Sequence, residues 1–413
     1  MQNEPSGEYY DWTITGKPER PWVLPYHQTL VWKIMNCYKD EVGNLKEVHF
    51  TFEQTHDVIR RFYNLSLGMP QVVYLTGWQY NGHDSKYPSW EEVNPHLKRE
   101  QDATALESLK WLMNEAQEKY NCRVSLHINM MDAYPESPYW DEYVEKDIVA
   151  KDLDGNLIEG GVWGGMISYP LSYTQEWKLG LAQKRIDGLI EMLPELVDSG
   201  TIHIDAFLGA RKADQKGPIS PYLGFSKEEE ASTQRKIYRY FRDKGIDVTS
   251  EWAFGLRDDR YVGLQPWSWH QEDKLNDLPD ELYCSTKFVN CDMWLIEDPK
   301  NPPHIIEKFF GDVLAWHYSN HKQAEDCSKM IDGNDICMPA LWQDDKTMIA
   351  YSEEGTTDKE WELPKNWEGT TLCSCDKITY EGLIEKTPIK VEHNKIKVSL
   401  GKKEAIKICP INS

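Results

Sequence analysis

The stretch Thr201-Ile202-His203-Ile204-Asp205, answered by Ile246-Asp247-Val248-Thr249-Ser250-Glu251-Trp252, decides the fold. Each half reads as a short strand, the first of them apolar, that ends on a carboxylate. Between them Lys227-Glu228-Glu229-Glu230 opens a helical segment, and acids in a first turn suit the positive end of a helix. The order is strand, carboxylate, helix, strand, carboxylate. Consecutive parallel strands of a β/α barrel point their C-terminal ends at one mouth. Asp205 and Glu251 are therefore expected to face one cavity from neighbouring strands.

Upstream the same alternation continues. Residues 28–36 read as a strand, and Phe52 to Leu65 as a helix with Val58, Ile59, Phe62 and Leu65 on one face. Gly68-Met69-Pro70 ends it and leads into the strand Val72 to Thr76. A helix near Glu100–Tyr120 precedes a strand at Arg123–Ile128, Lys151 to Asn156 reads as a hairpin turn, and Tyr173 to Leu196 reads as one helix. Downstream of Trp252, Tyr261–His270, Leu282–Phe288 and a helix at Pro303–Asn320 are expected to complete the barrel. From about residue 338 short alternating strands take over. The expected fold class is α/β: a (β/α)8 TIM-type barrel with a C-terminal antiparallel β-sandwich. The expected division is an N-terminal extension at 1–25, the barrel at 26–335 and the sandwich at 336–413. A doubly wound sheet competes, but no strand is followed by Gly-x-Gly-x-x-Gly or a phosphate loop, which argues against a nucleotide cofactor.

Composition narrows the partners. A formal charge of −22 disfavours DNA, RNA or an anionic membrane surface. The 17 Trp and 22 Tyr, several beside His, Asp and Asn, suit sugar rings, whose C–H faces pack on aromatics; the competing reading is that they are core. No long apolar run spans a membrane. The start, Met1-Gln2-Asn3-Glu4-Pro5, lacks a signal-peptide pattern, so a cytoplasmic location is expected, or a secreted one for a trimmed chain. The nine scattered cysteines read as mostly free thiols of a reducing compartment.

Paired carboxylates flanking a bond are the equipment of glycoside hydrolysis. Asp205, the shorter, suits the nucleophile. Glu251, partly desolvated beside Trp252, suits the acid/base. The competing reading for a strand-end Asp is a cap of the next turn. Two more loops read as substrate contacts. In Gly77-Trp78-Gln79-Tyr80-Asn81-Gly82-His83-Asp84-Ser85, His83 and Asp84 can grip vicinal hydroxyls; the alternative is a surface loop with an Asp turn. In His127-Ile128-Asn129, both polar residues share a face; the alternative for His127 is a structural core role. No cofactor is required. Three other classes stay open: an exo-acting α-galactosidase or other retaining α-glycosidase, a metal-dependent hydrolase or deacetylase using pairs such as His127-x-Asn129 or His203-x-Asp205, and a non-catalytic sugar-binding protein.

Val72 to Gln79 with Gly82-His83-Asp84-Ser85 resembles the strand and loop of the endo-α-N-acetylgalactosaminidases, glycoside hydrolase family 101. Leu126-His127-Ile128-Asn129 with Tyr134-Pro135-Glu136 is similar to that family's next barrel segment, His203-Ile204-Asp205 to its nucleophile strand, and Ser250-Glu251-Trp252 to its acid/base strand. The resemblance spans roughly residues 25–325. It implies retaining cleavage of α-linked N-acetylgalactosamine, as in galactosyl-β-1,3-N-acetylgalactosamine on Ser or Thr. By the same resemblance Asp205 is the nucleophile and Glu251 the acid/base. His83, Asp84, His127 and Asn129 touch the sugar, and Trp-rich segments around Trp163 and Trp267 cover it; Trp78 and Trp252 belong to the same expected binding set.

Overall fold

In the computed structural model of the protein, the described residues are 21–207, 218–250, 295–296, 309–315, 317–318, 330–343 and 346–411. The helices begin where side chains can stand in for missing backbone partners. α1 (Phe52–Leu65) and α2 (Ala105–Tyr120) each start with a capping box, Thr51 with Gln54 and Thr104 with Glu107. The single helix expected from Tyr173 to Leu196 is three: α3 (Tyr173–Lys178), α4 (Leu181–Met192) and α5 (Glu195–Ser199). Gly180, at φ +74°, turns the chain between the first two. Pro194, which has no N–H to continue a helix, opens the third. α6 (Lys227–Asp243) is capped by Ser226 with Glu229 and carries three acids in its first turn.

The strands are β1 (Leu30–Met35), β2 (Gln71–Thr76), β3 (Cys122–Asn129), β4 (Thr201–Asp205), β5 (Asp247–Ser250) and β6 (Leu295–Ile296). They form one six-stranded sheet in the order β5-β4-β3-β2-β1-β6, all pairs parallel. Neighbours in chain are thus neighbours in space from β1 to β5, and the later β6 flanks β1 from the other side. That is an α/β core wound in one direction. The described strands form a six-stranded sheet and not a closed eight-stranded ring. Tyr261–His270 and Leu282–Phe288, expected to supply further strands, lie outside the described residues, as does the start of the Pro303–Asn320 helix; Phe309–Val313 is a π-helical turn.

Alternation along the strands sorts their faces. Leu30, Trp32, Ile34, Val73, Leu75, Val124, Leu126, Ile128, Ile202 and Ile204 pack with the helices in one large apolar cluster. The opposite face carries Lys33, Tyr74 and Ser125 in one row and His127, His203 and Thr249 in another, all buried. The inner face is therefore polar along these rows, while Val31 and Val72 nearer the strand starts pack with Tyr26 in a small apolar cluster. Tyr74 and Thr201 hydroxyls bond at 2.6 Å, and His203 Nδ1 meets Thr249 Oγ1 at 2.9 Å.

The C-terminal part differs from the expected two-sheet sandwich. Its strands are β7 (Ile331–Asp332), β8 (Asp335–Pro339), β9 (Met348–Ser352), β10 (Thr356–Glu362), β11 (Leu372–Thr379), β12 (Gly382–Glu392), β13 (Lys395–Leu400) and β14 (Glu404–Pro410). They join into one antiparallel sheet, order β7-β8-β9-β14-β11-β12-β13-β10. The long β12 pairs with β11 over most of its length and with β13 at its end, so the sheet curls over its own core instead of splitting. Trp361, Trp367, Cys373, Ile396, Val398 and Ile408 fill the concave side. The sheet docks on α1: Trp342 Nε1 donates to Ser66 O at 2.8 Å, and Asn64 Nδ2 to Tyr380 O at 2.9 Å.

Candidate functional site

Asp205 ends β4, and the register places it beside Asn129 at the end of β3. One step back, His203 pairs with His127. The period of two that puts His203 and Asp205 on one side of β4 puts His127 and Asn129 on the matching side of β3. His127 Nε2 lies 3.5 Å from Asp205 Oδ2. The His127 ring is 5.3 Å from the His203 ring below it and 5.1 Å from the His83 ring, edge to face. Burial holds the His203 imidazole well below its ordinary pKa, with Lys33 and His127 adding to the effect, so it stands neutral under the site. Ala206, directly after Asp205, has φ +46°. A non-glycine residue in that region is strained, and here it turns the chain sharply once the carboxylate has been presented.

His83 and Asp84 arrive from the loop after β2. Gly77 starts that loop at φ +80° with no room for a side chain, since a Cβ there would overlap Cys37 O and reach 2.9 Å from His83 N. His83 N donates to Cys37 O at 2.9 Å, and Tyr38 forms a parallel bridge with His83. The loop is tied to the segment after β3 by Tyr134 N to Tyr87 O and Lys86 N to Glu136 Oε1, both 3.0 Å. Asp84 takes a left-handed φ of +60°, and its Oδ2 lies 3.6 Å from His83 Nε2.

Beneath these groups lies a buried acid. Asp132 Oδ2 accepts from Asn129 Nδ2 at 2.8 Å. Asn129 Oδ1 accepts in turn from the N–H of Met131 and of Asp132. Burial, reinforced by the nearby Asp84 carboxylate, pushes Asp132 up to about 7. The phenols of Tyr87 and Tyr134 are likewise raised, by burial first and Asp84 second. The region is crowded with acids, so Asp132 keeps its proton well above the usual carboxylate range.

The structure thus brings together Asp205, His127, His83, Asp84 and Asn129. Trp78 is placed differently: it is fully buried and donates its indole N–H to His127 O at 2.9 Å, which steadies the strand carrying His127. Trp163 stands 51% exposed on the hairpin Val162–Trp163 and Met166–Ile167. Glu251, Trp252 and Trp267 lie outside the described residues. Sequence reading did not single out Asp132, Tyr87 or the hydroxyl of Tyr134. For Asp132 and Tyr134 the available signal was the polar and aromatic richness of the segment 129–139. A groove of about 740 Å³ lined by residues including Trp90, Tyr139, Arg185 and Met192 contains none of the predicted residues.

His83, His127 and Asp205 each offer a ligand atom, and these atoms lie within 4.8 Å of one another. Two imidazoles and a carboxylate form a donor set that fits a divalent transition metal such as zinc.

A model of the endo-alpha-N-acetylgalactosaminidase family matches residues 41–277, more than half of the chain. Solved structures with some likeness include an α-N-acetylgalactosaminidase from Bifidobacterium bifidum, 17% identical, covering 55% of this chain and 34% of that one at a TM-score of 0.43. An α-galactosidase from Thermus thermophilus is 16% identical, with 68% and 55% covered and a TM-score of 0.39. A family 36 α-galactosidase from Geobacillus stearothermophilus is 11% identical, with 92% and 55% covered and a TM-score of 0.41. The chain spans between about a third and just over half the length of these proteins.

Proposed function

Because the chain belongs to the endo-alpha-N-acetylgalactosaminidase family of glycoside hydrolases, we propose that it is a retaining glycosidase acting on α-linked N-acetylgalactosamine of the O-glycan type. The observation that carries the reading is Asp205 at a strand end with His127 Nε2 3.5 Å from its carboxylate and the His83–Asp84 loop beside it. In this reading Asp205 attacks the anomeric carbon. Glu251, from the end of the next strand in sequence, protonates the glycosidic oxygen as the C–O bond breaks. The glycosyl-enzyme is then cleaved by water, whose proton Glu251 takes. His127 orients the Asp205 carboxylate. Asp84 and His83 accept from and donate to sugar hydroxyls, and Trp163 lies over the ring. The chemistry needs no cofactor, and the substrate is an uncharged glycan and not a nucleic acid.

Asp205→Asn tests this. Hydrolysis of aryl α-N-acetylgalactosaminide falls by at least about a thousandfold if the nucleophile is lost, while sugar binding measured by calorimetry persists. NMR of the first-formed product shows the α anomer with the wild type. Undiminished turnover in the variant, or a β product, sinks the proposal.

The donor set His83, His127 and Asp205 supports a second reading, a metal-dependent hydrolase. When bound there, a metal supplies a Lewis acid and an activated water. Stoichiometric metal in the purified protein, with activity abolished by chelation and restored by zinc, favours that reading over the first.

A further inference from the structure

We propose that Lys39 is a specificity-determining residue that donates from its ammonium to an uncharged oxygen of the bound sugar. This assignment rests on the glycosidase reading above. Lys39 closes the short strand Cys37–Lys39, whose Tyr38 bridges to His83 and whose Cys37 O accepts from His83 N. It therefore runs beside the loop that presents Asp84.

The ammonium is short of partners. Lys39 is only 4% exposed. Its Nζ sits 4.4 Å from the centre of the Tyr134 ring and 2.9 Å from Met166 Sδ. Among the described residues it makes no ion pair. A ring face and a thioether are weak acceptors for a group with three N–H donors. A buried ammonium left so poorly matched is costly. The Tyr134 hydroxyl beneath it is also buried with no hydrogen-bond partner among the described residues. Two adjacent polar groups therefore lack an oxygen to bond, at the edge of the Asp84 site.

The surroundings select the kind of oxygen. Glu136, Asp84 and Asp40 act on Lys39 electrostatically and oppose the lowering of its pKa by burial. Asp132 and Asp205 lie on the Tyr134 side. A sulfate or carboxylate on the ligand would meet these acids at close range. A sugar hydroxyl or acetamide carbonyl would not, and it can accept from Lys39 while a hydroxyl also bonds Tyr134.

The test compares wild type, Lys39→Met and Lys39→Arg on aryl α-N-acetylgalactosaminide. The set includes its single-deoxy analogues, the 2-hydroxyl analogue and a sulfated analogue, with thermal melts to confirm folding. Lys39→Met keeps the stem against Tyr134 and removes the donors. On the complete sugar its kcat/KM falls by about tenfold to hundredfold, the range of a lost hydrogen bond to a charged group. Lys39→Arg retains part of the activity. For the one analogue that lacks the accepting oxygen, the wild-type to Lys39→Met ratio collapses towards one. An equal fall on every analogue marks a structural role and overturns the assignment, as does wild-type preference for the sulfated sugar. If wild type cleaves the complete sugar and Lys39→Met matches it, the Lys39 assignment alone fails. If wild type cleaves none of the set, the glycosidase reading fails and this assignment falls with it.

Discussion

Asp132→Asn should flatten the pH dependence of stability. Asp132 is buried, bonded to Asn129 Nδ2 at 2.8 Å, and pushed from its ordinary 3.8 up to about 7. Below pH 3.8 both the folded and the unfolded chain hold this proton, so it has no effect. As pH rises from there to about 7, the unfolded chain releases the proton and the folded one keeps it. Stability falls over that window, by about 1.4 kcal/mol for each pH unit. Across about three units the loss sums to on the order of 4 kcal/mol, and it is complete above the folded pKa. Asparagine keeps the shape and the acceptor for Asn129 but carries no ionisable group. Urea denaturation of both proteins at intervals from pH 5 to pH 8 measures the difference. The variant should gain on the wild type by more than about 1 kcal/mol per unit between pH 5 and pH 7, then run parallel to it. Asp247, raised to about 6 by burial, bends both curves alike and cancels in the comparison. Curves that stay parallel throughout would refute the account of a protonated acid beneath the site.

Two further substitutions probe the frame of the site. Gly77→Ala places a Cβ against Cys37 O and 2.9 Å from His83 N at a φ of +80°. It should lower kcat/KM at least about tenfold by displacing His83 and Asp84; kinetics with a fluorogenic α-glycoside would show it, and unchanged kinetics would contradict the tight approach. Glu176→Gln breaks the buried pair with Arg185 Nη2 at 2.7 Å and weakens the bond from the Tyr143 hydroxyl. Leaving Arg185 buried without its carboxylate should cost about 3–5 kcal/mol of stability, read as a shift in denaturation midpoint; a shift below about 1 kcal/mol would mean that water or another acid takes over.

The parts of the site that lie on strands were legible in the sequence. A period of two fixes which side chains share a face, so His127 with Asn129 and His203 with Asp205 could be paired before their register was seen. Loop geometry is less readable. Lys39 and Tyr134 meet through a contact between segments distant in sequence, and nothing in local spacing announces a lysine on a tyrosine ring. Trp78 shows the converse: an indole in a polar loop looked like a sugar platform, yet its N–H is used by His127 O. The helix at 173–196 broke because helical periodicity continued across Gly180 and Pro194, while backbone chemistry did not. Strand alternation in the C-terminal part was readable, but the choice between two sheets and one curled sheet depends on how β12 bends between its neighbours.

The polar inner face of the parallel sheet also bears on how the chain avoids misfolding. A slip of β3 by one residue against β4 would exchange its faces. His127 and Asn129 would then be driven into the cluster that holds Leu126, Ile128, Ile202 and Ile204, and leucine and isoleucine would replace imidazole beside His203. Each misplaced polar group would lose its partners in an apolar setting, a penalty of roughly 1–3 kcal/mol apiece. The side chains that gather at the candidate site therefore also reject wrong strand pairings. On the proposed glycosidase reading, the demands of catalysis and of a faithful folding route fall on the same residues.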